Sequence, residues 1–299
     1  MKRFFVLALV LILMLCSCSA VKEDGTIKVV ATMFPQYDFA RNIAKDRATV
    51  ELLLDFGADS HSYEPTPADI MKIASADLFI YTGDEMEIWA KTLLDSADVK
   101  KAVECGNLKV LDLSKSVKLL PMHDHDHDEY DTHIWTSPEN AASMSEAIKA
   151  AICEIDGEGE AYYSENLTDY KEELSKLSAS VEAFDGGEIF FGGSFAFRYL
   201  FEAANLEHHS VFEGCSSHAE PSAADIAACL EEIKENGARY VFYDSPSEKK
   251  IADSIAAECG AEVLHLHAVH NITKAEFDAG EDYLSLMSKN LETLRKALS

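Results

Sequence analysis

The sequence predicts an α/β protein with two lobes of parallel β-sheet flanked by helices, joined by one long rigid helix. Three patterns lead there: strand and helix signals alternate twice along the chain, a long amphipathic stretch separates the two runs, and glycines bracket that stretch. In the first run the apolar segments Ile27–Met33, Val50–Asp55, Leu78–Thr82 and Lys109–Leu113 read as strands. Helical patterns fall between them at Gln36–Lys45, Pro67–Ala76 and Glu87–Ser96. Pro67 and Asp69 suit the first turn of a helix. The second run places strands at Glu188–Gly192, His209–Phe212, Tyr240–Tyr243 and Glu262–Leu266. Helices follow at Phe197–Ala204, Ala223–Glu235, Glu248–Cys259 and Lys274–Ala297.

Between the runs, Tyr163, Leu167, Tyr170, Leu174, Leu177, Val181 and Phe184 recur at spacings of four and three, and no glycine or proline interrupts Glu160 to Phe184. This spacing puts one apolar stripe on one helix, ~37 Å long at 1.5 Å per residue. Gly157 and Gly159 punctuate its start and Gly186-Gly187 its end. A single helical strut lacks the hinge of extended crossovers, so large lobe closure is not expected. The organisation is therefore a leader at 1–17, a tether at 18–26, a first lobe at 27–158, a linker helix at 159–185 and a second lobe at 186–299.

The leader follows from Lys2 and Arg3 ahead of an uninterrupted apolar run, Phe4 to Leu15. That run is too short to span a bilayer, which takes roughly 20 residues, and reads as an export signal. Leu15-Cys16-Ser17-Cys18 resembles a bacterial lipobox. Cleavage before Cys18 and a lipid on its sulfur would anchor the chain to the outer face of the cell membrane, because no second spanning run follows. Cys16 is the poorer anchor, since the bulky Leu15 precedes it.

The 299 residues carry 26 basic and 53 acidic side chains, a net charge of −27. Without the leader the balance is 24 against 53, or −29. Such a surface repels nucleic acid and attracts cations weakly; solubility alone accounts for most of it. Five cysteines follow Cys18, at positions 105, 153, 215, 229 and 259. They form no Cys-x-x-Cys pair and no dense framework, although an oxidising compartment would permit one or two disulfides.

Three of the eleven histidines stand just after strand signals. His61 lies in Asp59-Ser60-His61-Ser62-Tyr63-Glu64-Pro65, His133 in Asp131-Thr132-His133-Ile134-Trp135, and His270 in His267-Ala268-Val269-His270-Asn271. Open parallel sheets bind ligands beyond the carboxyl ends of their strands. Two sheets facing one groove would bring three imidazoles together, a donor set that suits Zn²⁺ with bonds of ~2.0–2.1 Å. Singly, each of these histidines reads as a capping or surface residue; the shared location at strand ends is what marks them. Glu64 or Asp131 would fix a ring tautomer. Neutral rings are needed for binding, so capture is expected to weaken as pH falls through ~6.5. A separate tract, His123-Asp124-His125-Asp126-His127-Asp128-Glu129, contains nothing to build a core. It reads as an exposed loop in which His123, His125 and His127 collect metal weakly beside His133.

These motifs, with Ala31-Thr32-Met33-Phe34-Pro35 and Glu220-Pro221-Ser222, resemble the metal-binding lipoproteins of zinc and manganese ABC importers, the cluster A-I (cluster 9) solute-binding proteins. The resemblance covers nearly the whole chain after the leader. It implies two lobes joined by one long helix, metal at their interface, and a monomer that delivers the ion to an ABC permease and its ATPase. One departure matters. Where the family places a histidine or glutamate after the first strand of the second lobe, Gly192-Gly193-Ser194 puts Ser194. The family's last ligand, an acidic residue, corresponds to His270 or His267. The resemblance thus implies His61, His133 and His270, with water or one of His208, His209, His218, Glu220 and His267 completing the set. Imidazole in place of a hard carboxylate favours zinc over manganese. The rival readings are a zinc hydrolase and a surface adhesin. The hydrolase lacks support: there is no His-Glu-x-x-His helix, and Gly192-Gly193-Ser194-Phe195-Ala196 lacks the second glycine of a nucleophile elbow.

Overall fold

The computed structural model describes residues 26–122, 130–211 and 222–299. The leader, Cys18, the His123–Glu129 tract, Cys215, His218 and Glu220 lie outside the described residues.

Two four-stranded sheets form, each wholly parallel. The first contains β1 (Ile27–Ala31), β2 (Ala48–Leu52), β3 (Leu78–Tyr81) and β4 (Lys109–Asp112), in the order β2-β1-β3-β4. The second contains β5 (Glu188–Phe191), β6 (Glu207–Ser210), β7 (Tyr240–Tyr243) and β8 (Glu262–His265), in the order β6-β5-β7-β8. The two orders are the same pattern. In each, the chain leaves the sheet's first strand toward one side and returns on the other, which opens a crevice at the strand carboxyl ends.

The helices between strands are α1 (Phe34–Ala44), α2 (Pro67–Ala74), α3 (Ile88–Leu94), α4 (Ala97–Glu104), α5 (Pro138–Ile155), α6 (Glu160–Glu182), α7 (Arg198–Ala204), α8 (Ala223–Asn236) and α9 (Lys249–Cys259); α10 (Lys274–Asp278) and α11 (Tyr283–Leu298) follow the last strand. Local chemistry sets many of the boundaries. Thr66, Ser222, Thr273 and Asp282 each cap the first turn of the helix they precede, and the side chain of the third helical residue accepts the cap's own N–H in return.

Two departures from the sequence reading have clear causes. The predicted single helix over Lys274–Ala297 is two, α10 and α11. Gly280 at φ +80° ends the first, and Asp282 starts the second by accepting the Ser285 N–H at 2.7 Å. Helix α5, which periodicity left unassigned, is started by Ser137 and Pro138 and buries Ala141, Met144, Ile148 and Ile152.

The long helix α6 runs 23 residues, ~34 Å. Its stripe buries Tyr163, Tyr170, Leu174, Leu177 and Val181, and one polar residue, Asn166, whose side chain donates to the Ile43 carbonyl at 2.9 Å. It packs on α1 and α5 from the first half and on α7 and α11 from the second. One large core consequently runs through both halves, from Val29 and Phe79 to Phe191, Leu200 and Tyr283. A smaller core, with Phe190, Ile233, Val241 and Ile255, lies beneath α8 and α9. Cys105, Cys153, Cys229 and Cys259 are all unpaired, so no disulfide links any two of them. No helix among the described residues is long and apolar enough to cross a membrane.

At the carboxyl end of β5 the second sheet meets α9 closely. A Cβ at Gly192 would stand 2.6 Å from Ala252 Cα and 2.9 Å from its Cβ, and backbone cannot move aside cheaply. Gly192→Ala is expected to cost about 1–3 kcal/mol of stability, read as a lower urea midpoint; an unchanged midpoint would contradict this packing.

Candidate metal centre

His61 stands on the loop that leaves β2. Its backbone N–H donates to Asp59 Oδ1 at 3.0 Å, and Ser62 Oγ donates to Asp59 Oδ2 at 2.9 Å, which closes a tight turn around the histidine. The loop is anchored from below by the Trp89 indole, which donates to the Ser60 carbonyl at 2.9 Å. Tyr63 meets the same indole edge-on and donates to Asp69.

His133 follows β4 after the insertion, whose neck is closed by an antiparallel bridge between Pro121 and Tyr130. The same local device recurs: Asp131, two residues before the histidine, accepts the His133 N–H at 2.8 Å. Here the carboxylate also meets the ring, with Nδ1 at 2.9 Å from Asp131 Oδ1. A carboxylate can only accept, so Nδ1 carries a proton, and in the neutral ring the lone pair is on Nε2. Burial raises Asp131, yet the His133 contacts and Arg198, 3.8 Å away, outweigh it and hold the carboxyl below its ordinary range. Asp131, rather than Glu64, is thus the tautomer-fixing group.

His270 lies beyond β8, on a stretch that crosses to the first half of the chain. Trp135 Nε1 donates to the Ala268 carbonyl at 2.8 Å, Phe34 N–H to the His270 carbonyl at 3.2 Å, and Gly57 N–H to the Ile272 carbonyl at 2.9 Å. His270 therefore approaches His61 and His133 from a segment fastened to their own side of the groove.

The His61 and His133 ring centroids are 6.0 Å apart. Two imidazoles on one tetrahedral zinc would sit ~5 Å apart, given Zn–N near ~2.0–2.1 Å, so this pair stands about 1 Å wider than two zinc ligands would. Consistent with that gap, no three His, Cys, Asp or Glu side chains among the described residues are arranged to hold one ion. The His270 ring is close enough to feel both partners electrostatically. No hydrogen bond engages the ring nitrogens of His61 or His270 among the described residues, which leaves their lone pairs for a ligand.

The other candidates are placed elsewhere or engaged otherwise. Ser194 is buried, its N–H donating to Glu248 Oε1 at 3.1 Å and its hydroxyl 3.4 Å from Asp244 Oδ1. His208 stacks on Phe195 at 3.5 Å between centroids, and His209 stacks on Phe190 beside Glu188 and Glu232. His267 accepts the Val269 N–H on Nδ1 at 2.9 Å, and its Nε2 faces Glu276 Oε1 at 3.6 Å. Its ring is thereby committed to its own turn and α10, which distinguishes it from His270.

Sequence reasoning passed over Asp59 as a partner of His61, although the Asp-x-His spacing is repeated in Asp59-Ser60-His61 and Asp131-Thr132-His133. It also passed over Glu87, fully buried at the ends of β1 and β3. That carboxyl accepts from Thr32 Oγ1 at 2.6 Å and from the Thr82 and Gly83 backbone N–H groups at 3.1 Å, and burial pushes it up to about 7.

Burial lowers the His61 ring, and the neighbouring His133 adds to the effect. Burial likewise pushes His270 down to about 3, with His267, His133 and His61 contributing. The expectation that these rings exchange protons near ~6.5 is thus corrected for His61 and His270, because a charged imidazole loses its hydration there. An unfolded His270 takes up a proton below ~6.5 and the folded one does not until about 3. Its share of stability is therefore complete above the unfolded value and is lost as pH falls below it. In the metal-free protein the His270 ring resonance is expected to stay constant from pH 8 to ~5, followed by NMR. A titration midpoint near ~6.5 would contradict the burial.

The model of the family described as ZnuA, zinc-uptake complex component A, periplasmic, matches residues 29–297. The chain is 32% identical over 313 residues to the zinc-binding lipoprotein AdcA of Streptococcus pneumoniae, aligning 99% of this chain with 60% of that protein. It is 30% identical over 314 residues to the high-affinity zinc uptake system protein ZnuA of Bacillus subtilis, covering 99% of this chain and 96% of that one. The Zn(II)-bound ZnuA-like domain of S. pneumoniae AdcA superposes with a TM-score of 0.77 at 30% identity, over 91% of this chain and 99% of the domain. The chain thus spans about 60% of AdcA and nearly all of its ZnuA-like part. Two parallel sheets on a helical spine, a groove at their strand ends and a match from residue 29 to 297 together establish that this chain belongs to the ZnuA family of zinc-uptake components.

Proposed function

We propose that this protein captures Zn²⁺ outside the cell and delivers it to an ABC permease driven by its ATPase. His61, His133 and His270 are the ligands. The observation that carries this reading is the set of three imidazoles on neighbouring loops: His133 oriented through Nδ1 by Asp131, His61 with its ring centroid 6.0 Å from that of His133, and His270 close enough to feel both. A carrier needs rings that are neutral before the ion arrives, and burial keeps His61 and His270 so. The names of the relatives, a zinc-binding lipoprotein and a zinc uptake protein, support the same cargo. Three nitrogen donors suit zinc better than manganese, which prefers oxygen.

The lipid anchor belongs to the same proposal. Relatives are named lipoproteins, and Cys18 is the residue whose surroundings fit lipidation. Cys18→Ala is expected to move the protein from the membrane fraction to the medium; a variant that stays on the membrane would refute the assignment.

Competition titration of the full chain tests the site. His61→Ala and His133→Ala should each weaken zinc binding more than Asp131→Asn, which leaves the ligand and removes its orienting charge, for a loss of ~10–100-fold. Zinc should displace manganese from the wild type. Undiminished zinc affinity in either alanine variant, or a manganese preference, would overturn the reading.

A further inference from the structure

The segment that carries His270 contains two features that the ligand set alone does not require. Val269, fully buried, has φ +60°. A β-branched side chain is strained in that left-handed region, and such strain persists only where the surroundings enforce it. Here Val269 N–H is held by His267 Nδ1 at 2.9 Å, and the turn swings the chain from the end of the second sheet into the groove.

The second feature is Asn271, buried directly after the candidate ligand. Both hydrogens of its side-chain amide are used: Nδ2 donates to the Asp55 carbonyl and to the Ala58 carbonyl, each at 2.8 Å. Those carbonyls belong to the loop that ends in His61. One side chain thus ties the residue next to His270 to the approach to His61, across more than two hundred positions of sequence. No other side chain of this size offers two donors from one neutral atom; aspartate would face both carbonyls with charge.

We propose that Asn271 is a positioning residue for the metal centre, holding the Val269–Ile272 turn against the Asp55–Ala58 loop so that His270 and His61 keep a fixed separation. This rests on the reading of His270 as a ligand and adds to it a residue that touches no ion. The His270 ring has no hydrogen bond of its own among the described residues, so its position is set through its backbone. The backbone on one side is the strained turn and on the other is Asn271.

The test is a double-variant cycle on the full chain, read by zinc competition titration and by the visible absorption of the Co²⁺-loaded protein. His270→Ala should weaken zinc binding, Asn271→Ala should weaken it by ~10-fold or more, and the two together should be no worse than His270→Ala alone. The Co²⁺ bands of Asn271→Ala should shift toward those of His270→Ala, a change that loss of stability alone would not produce. Asn271→Ser, which keeps one donor, should fall between wild type and alanine and stands in if the alanine variant does not fold. If His270→Ala binds zinc normally, the ligand reading fails. If His270→Ala weakens binding but the Asn271 variants do not, or if the losses simply add, the positioning role fails while the ligand reading survives.

Discussion

The site depends on a hydrogen-bonded seam. The stretch from Ala268 to Ile272 belongs by sequence to the second sheet, yet its carbonyls at 268, 270 and 272 accept from Trp135, Phe34 and Gly57 of the first half. Each bond is worth only ~1 kcal/mol net, but leaving such a buried group unpaired costs as much or more. The seam is therefore hard to open piecemeal, and it places the last imidazole beside the other two. Tyr283 reinforces it, donating from its hydroxyl to the Trp135 carbonyl at 2.6 Å while its own N–H meets the buried Asp38 carboxylate. The spine helix α6 fixes the larger frame by packing on elements from both halves.

Ser194, which follows β5 in the second half, carries a hydroxyl where an imidazole was expected, and it is buried. Its neighbours there, Asp244 and Glu248, are carboxylates that Ser194 already engages. Around the rings the carboxylates divide by environment. Asp59 and Asp131 stay ionised because the N–H groups and rings they face outweigh the cost of burial. Glu87, deeper and surrounded by hydroxyls and amides, is pushed up to about 7. A dication entering there thus meets two oriented negative charges and the neutral rings of His61 and His270, an arrangement that lowers the cost of taking the ion out of water.

Much of the fold was legible because it rests on local signals. All eight strands and the spine helix follow from apolar period and glycine punctuation, with ends displaced by a few residues, most for β2. Helix α5 was not, because a helix so rich in alanine and serine gives a weak apolar period and is placed by its Ser137-Pro138 start. The break at Gly280 was visible in sequence as a glycine followed by an acidic cap, but the apolar pattern on either side concealed it. At the site, the positions after strands pointed to His61, His133 and His270. What fixes them was less visible: Asp131 could be read from the Asp-x-His spacing, whereas Asn271 acts on carbonyls 213 and 216 positions away, and no periodicity reports such a contact. The strain at Val269 is a property of the folded turn and has no sequence signature, since valine is a poor choice for that conformation.

Zinc K-edge X-ray absorption of the loaded full chain addresses the central claim most directly. Three imidazoles on one ion predict nitrogen neighbours at ~2.0–2.1 Å with the outer-ring scattering of three histidines, reduced to two in His270→Ala. A first shell of oxygens alone, or a three-imidazole pattern that survives removal of His270, would contradict the seam as the source of the third ligand.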